Sequence, residues 1–138
     1  MVILSVDYGD RRTGVAVCDK LQMLASPVGV ITGDYEPKII DAVIEYATQY
    51  KAEKIVVGLP KNMDGTEGFR AEATYEFAEN LKTIYSGEII FRDERLTTVG
   101  ASRFLNETNT KGKARKNVID TVSACLILEG YLNESKNS

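Results

Sequence analysis

The sequence predicts an α/β fold: a five-stranded mixed sheet with helices on both faces. Three observations carry that prediction. Residues 2–18 form two short apolar runs joined by a polar, charged turn that contains Gly9, the pattern of a hairpin. Ile55-Val56-Val57 and Ile89-Ile90-Phe91 are continuous apolar triplets bounded by charge, as parallel strands buried on both faces are. Helical stretches alternate with those triplets and supply the crossovers that parallel strands require.

Each element follows in order. Met1 to Val6 is too short for a helix and rich in β-branched residues, and Thr13 to Cys18 alternates Val15 and Val17 with small residues. Leu24 to Ile31 is a third strand, in which Pro27 implies an edge position or a bulge. Gly33 and Asp34 break the chain, and Asp34 with Pro37 starts a helix. Its face is Ile40, Val43, Ile44 and Ala47, and it ends near Tyr50. A loop spans Gly58 to Gly65. A second helix is expected from Thr66 to Tyr85, with Phe69, Ala73, Phe77, Leu81 and Ile84 along one face. Glu88 to Phe91 is the fifth strand and runs into Arg92-Asp93-Glu94-Arg95. A helix from Thr97 to Leu105, a polar loop from Asn106 to Lys113 and a last helix from Arg115 to Leu132 complete the chain, with a frayed tail.

With 138 residues, 43% hydrophobic and 27% charged, the chain fits a single domain over residues 1–138. No apolar run reaches the roughly 20 residues needed to cross a bilayer, and no export signal is expected. Cys18 and Cys125 sit in apolar segments as small core residues, which suits a reduced, cytoplasmic compartment and no membrane partner. The absence of histidine removes Ser-His-Asp triads, Cys-His dyads and His-bearing zinc sites together. An enzyme of this composition must work with carboxylates, lysines, hydroxyls or a hard cation.

The net charge of -3 is unevenly spread. Arg92 to Lys116 holds seven basic residues against three acidic ones, an excess of +4, and the remainder carries ten against seventeen, or -7. Such a patch either meets phosphate or is solvated surface.

Three acids converge by position. Asp7 ends the first strand and Glu94 follows the fifth, so in a sheet with parallel strands one, four and five they share the carboxyl edge where α/β sheets bind ligands. Asp120 heads a stripe of Ala124, Ile127 and Tyr131 in the last helix, and the small Ser123 and Ala124 let that helix approach the sheet. Asp7 alone reads equally as a turn cap. By spacing alone, Glu94 and Asp120 read more readily as ordinary ion-pair partners, for example of Arg95 or Lys116. Three converging carboxylates repel, and a divalent cation resolves the conflict; oxygen ligands favour Mg²⁺ or Mn²⁺. Gly58 to Gly65 before a helix hints at phosphate contact, but Lys61 is misplaced for a P-loop. Tyr8 stacks on a base or packs, with packing favoured.

Asp7-x-Gly9-x-Arg11-x-x-Gly14-Val15-Ala16, Val57-Gly58-Leu59-Pro60, Gly65-Thr66-x-Gly68, Asp93-Glu94-Arg95-Leu96-Thr97-Thr98, and Asp120 ahead of Ser123-Ala124 and Ile127-Leu128 occur in one order. This closely resembles the YqgF (RuvX-like) family over nearly the whole chain. The Asp-Glu-Arg-Leu-Thr-Thr run is highly specific. Asp-x-Gly alone is weak. The family is described as Holliday junction resolvases and as the nuclease that matures the 5′ end of pre-16S ribosomal RNA. The resemblance implies a ribonuclease H-like fold and a metal-dependent nuclease site. Asp7, Glu94 and Asp120 match the family's acidic residues, and Asp93 also matches, with a secondary role; Gly9 and Lys61 are further secondary candidates for the site. Ser123-Ala124 stands where the family more often has two alanines, a mild change that leaves the site intact.

The expected function is therefore a cytoplasmic hydrolase: a nuclease using Mg²⁺ or Mn²⁺ on structured RNA, in 16S rRNA maturation on ribosomal precursor particles. Arg11, Arg95, Lys111, Lys113, Arg115 and Lys116 would hold backbone phosphates. The alternatives are resolution of branched DNA four-way junctions and a non-catalytic RNA-binding role in ribosome assembly. A resolvase should be a homodimer, because a junction offers two equivalent strands, whereas an rRNA nuclease can be a monomer.

Overall fold

Strands β1 (Ile3–Tyr8) and β2 (Arg12–Cys18) form the expected antiparallel hairpin, in register from Leu4 opposite Val17 to Tyr8 opposite Thr13. The turn between them is tight. A Cβ on Gly9 would run into the carbonyl oxygen of Arg12, so only glycine fits there. The computed structural model describes residues 1–19, 24–61, 64–93 and 112–137, with the backbone alone at 112–120 and 135–137.

Strand β3 (Ala25–Thr32) pairs antiparallel with β2, whereas β4 (Lys54–Leu59) and β5 (Glu88–Asp93) extend the sheet parallel to β1, in the order β3-β2-β1-β4-β5. Pro27 fulfils both of its expectations. Strand β3 lies at the sheet's edge, and Val15 pairs with Gly29 while Ala16 pairs with Pro27, so one extra residue bulges between them.

Strand alternation divides the core into two layers. Leu4, Val6, Val15, Val17, Ile55 and Val57 face helices α1 (Glu36–Tyr50) and α2 (Phe69–Lys82), which contribute Ile39, Ile40, Val43, Phe77 and Leu81. Ile3, Ala16, Cys18 and Val56 face helix α3 (Gly112–Asn137), which contributes Ala124, Ile127, Leu128 and Leu132. Helices therefore cover both faces, as predicted.

Four expectations are corrected. Tyr35, not Asp34, is the residue before α1, and no side chain caps that end, although Pro37 does sit in the first turn. In α2 the buried residues are Ala71, Thr74, Phe77, Ala78 and Leu81, while Phe69 and Ile84 are exposed. A stripe drawn every fourth residue advances by about 40° each step, so Phe69 ends up roughly 120° from Leu81. Strand β5 is half-buried, with Phe91 exposed, because it pairs on one side only among the described residues. Helix α3 takes in Gly112 and Lys113 from the expected loop and continues through the expected tail, where Glu134 is bonded to Arg92. The helix expected at 97–105 and the loop residues 106–111 lie outside the described residues.

Candidate functional site

Asp7 is the penultimate residue of β1 and pairs with Gly14. Ile3 and Ser5 belong to the α3 layer, so alternation puts Asp7 on the face that α3 covers. Tyr8 lies on the other face, where its ring stacks on Phe77 of α2 at 4.3 Å between centroids and 11° between planes. Packing, not base contact, is the role of Tyr8, and burial is the main cause raising its hydroxyl above the ordinary tyrosine value.

One hydrogen bond brings the site's elements together. Ser5 is fully buried, and its Oγ donates to the carbonyl oxygen of Ala124 in α3 at 2.6 Å. A contact this short needs small residues, and Ser123 and Ala124 are both buried there. Asp7 stands two residues beyond Ser5 on the same strand face, and Asp120 stands one turn before Ala124. The bond thus joins the strand and the helix that carry these two acids, close to both.

Asp93 ends β5 opposite Leu59, at the same carboxyl edge as Asp7 and about 10 Å across the sheet. Its face is different. Ile89 packs with the α1/α2 layer and Phe91 meets Tyr75 of α2 edge-on at 5.0 Å, so alternation places Asp93 on the side away from Asp7. Arg92 is on the α3 side: its guanidinium lies over Gly130, where a Cβ would come within 2.5 Å, and bonds Glu134 at 2.9 Å. Glu94, Arg95 and Lys111 lie outside the described residues. Lys113, Arg115 and Lys116 fall in the opening turns of α3, and their side chains, like that of Asp120, are outside the description too.

Around the turn that follows Asp7, Arg11 is exposed and its carbonyl accepts the Gly33 N–H at 2.8 Å. Arg70, in the first turn of α2, donates Nη2 to the Tyr8 carbonyl at 2.8 Å and pairs Nη1 with Asp10. The sequence reading passed over Arg70, and no spacing pattern links it to a turn 60 residues away. Lys61 is half-buried, 4.0 Å from Glu67, which also accepts from the Tyr75 hydroxyl at 2.9 Å. Between them, Asp64 accepts from the Thr66 N–H and hydroxyl at 3.0 and 2.6 Å, and Gly65 adopts φ +89°.

The donor chemistry is one-sided. Burial raises the Cys18 thiol, and it pushes Cys125 up to about 11 with a smaller push from Glu129, so neither is a ready thiolate ligand. With no histidine either, only oxygen ligands remain, which suits a hard divalent ion. Among the described residues no three such side chains cluster closely enough to hold a metal.

The mixed sheet flanked by these helices is the fold of the RuvC-type resolvases. The Thermus thermophilus RuvC structure with a Holliday junction substrate superposes with a TM-score of 0.65 at 10% identity, covering 100% of this chain and 97% of the other. The fowlpox virus resolvase bound to junction DNA gives 0.54 at 14% identity, covering 98% and 99%. In sequence, the model of the family described as "RuvX: Holliday junction resolvase" matches residues 1–134. The chain belongs to that family. Its relatives include a Halothermothrix orenii protein 45% identical over 133 residues (96% of this chain, 95% of the other) and a Bacillus cytotoxicus protein 43% identical over 135 (96% and 98%). Both carry the name "Putative pre-16S rRNA nuclease".

Proposed function

We propose that residues 1–138 act as one nuclease domain that hydrolyses phosphodiester bonds in the cytoplasm, in 5′-end maturation of pre-16S rRNA. The observation that carries this reading is the Ser5–Ala124 hydrogen bond, which brings together the elements bearing Asp7 and Asp120. The names of relatives above 40% identity over nearly their full length support the substrate. Asp7, Glu94 and Asp120 would hold Mg²⁺ or Mn²⁺; when bound, such an ion lowers the pKa of water and offsets charge on the scissile phosphate. The chain's own part is to place three carboxylates at the sheet edge and line phosphates up on Arg11, Arg95, Lys111, Lys113, Arg115 and Lys116. Water's oxygen would bond to phosphorus as one P–O bond breaks, and the proton that the water gives up would be balanced by one taken up by the departing oxygen. Asp93, on the opposite face, stays outside the ligand set.

The test incubates the purified protein with 5′-extended 16S precursor RNA and with a synthetic DNA four-way junction, each with and without Mn²⁺. Cleavage of the RNA that depends on Mn²⁺ and is lost in Asp7→Asn supports the reading. Full activity in Asp7→Asn would sink the assignment of Asp7. Cleavage of the junction alone would favour the second reading, junction resolution, to which the family's description points. Binding without cleavage of either would favour a non-catalytic assembly factor.

A further inference from the structure

We infer that Phe69 is a stacking platform for an unpaired nucleobase next to the scissile phosphate, an inference that rests on the proposed action on nucleic acid. Phe69 is 78% exposed, more than any other large apolar side chain among the described residues. Single exposed apolar residues are ordinary on protein surfaces. The position of this one is not. It lies off the buried face of α2, so core packing gives no reason for an aromatic ring there.

Its neighbours tie it to the site. Arg70, the next residue, bonds the carbonyl of Tyr8 and the carboxylate of Asp10, which anchors the first turn of α2 to the turn directly after Asp7. On the other side the Asp64–Thr66 bonds close the preceding turn, and the Tyr75 hydroxyl holds Glu67 against α2. The ring is thus presented to solvent from a backbone fastened on both sides, and an aromatic side chain has few torsions to lose when a base stacks on it. Arg11 is exposed on the Asp7 turn, and Lys61, 4.0 Å from Glu67, precedes the loop, so two cations flank the platform where a bound strand's phosphates would need them.

A base inside a continuous duplex has both faces covered by its neighbours, and only an unpaired base offers one to a protein ring. The substrate class that follows is nucleic acid with an unpaired nucleotide beside the cut. The bulk of the ring decides this preference, not its polarity, so Trp should replace Phe and Ala should not.

The chain contains no tryptophan, so Phe69→Trp introduces a single fluorophore at the platform. Binding of the wild type, Phe69→Ala and Phe69→Trp is measured without added divalent ion, on a single-stranded RNA and on a blunt RNA duplex of equal length. Cleavage by the wild type is followed separately with Mn²⁺. Phe69→Ala is expected to bind the single strand about 5- to 150-fold more weakly and the duplex nearly as well as the wild type. Phe69→Trp should keep wild-type affinity, with its emission quenched by the single strand alone. Unchanged affinity in Phe69→Ala, equal loss on both RNAs, or no quenching on binding would overturn the platform. A wild type that still binds and cleaves RNA in that event leaves the nuclease function standing; one that binds and cleaves nothing overturns both.

Discussion

Asp7 and Arg70 show how one residue's role comes from its immediate partners. Asp7 could be picked out in the sequence because an acid ending an apolar strand is costly without a partner. Arg70 could not, because its two partners reach it only through folding. Its two contacts are unequal. The pair with Asp10 is open to water, with 74% of that side chain exposed, and such pairs are worth about 0–1 kcal/mol. The bond to the Tyr8 carbonyl is sheltered, and its loss leaves a main-chain acceptor without that donor, at about 1–3 kcal/mol. Urea melts should therefore show Arg70→Ala destabilised by more than Asp10→Asn. Equal losses would mean that the ion pair, not the carbonyl bond, holds the turn.

At the scale of the element, α2 carries the clearest difference between pattern and packing. Phe77 is fully buried against the stacked ring of Tyr8, so Phe77→Ala should cost about 3–5 kcal/mol, whereas Phe69→Ala should stay within about 0.5 kcal/mol. A large thermal loss in Phe69→Ala would mean that the expected face, not the observed one, is the packed face. The five strands, their directions and the two covered faces were all legible, because alternation and short apolar runs are local signals. The helix faces and ends were less so. Their register is set by what they pack on, as with Glu134, which Arg92 holds at the end of α3. For the site, the edge and the strand of Asp7 were legible, but not the face that separates it from Asp93. That face follows by alternation from Ile89 and Phe91, whose packing against the α1 and α2 side is set only by folding.

For the molecule as a whole, two solution measurements follow. The first concerns alkali. Cys125 has an ordinary value of 9.0 and is held near 11 in the fold, mainly by burial. The unfolded chain loses that proton first, so the folded state binds more protons between those values and stability falls as pH rises from about 9 to about 11. Tyr8 and Tyr85, also raised by burial, extend the decline above pH 10. Cys125→Ala should flatten the melting-temperature profile between pH 9 and 11. An unchanged slope would mean the thiol does not report the fold.

The second measurement asks whether three acids far apart in sequence act as one site. Ion pairs on an open surface contribute about 0–1 kcal/mol each, and replacing one member should scarcely change stability. Carboxylates crowded together without their cation behave otherwise, because each raises the cost of ionising the others. Glu94→Gln or Asp120→Asn should then raise the melting temperature of the metal-free protein while cleavage is lost. Mg²⁺ or Mn²⁺ should stabilise the wild type by mass action, by about 2.7 kcal/mol at a hundredfold excess over Kd, and should stabilise each variant less. Melting curves of the three proteins with and without the ion separate the cases. An equal metal response in all three would show that Asp7, Glu94 and Asp120 share no ion, and would leave an RNA-binding protein that kept the fold without the chemistry.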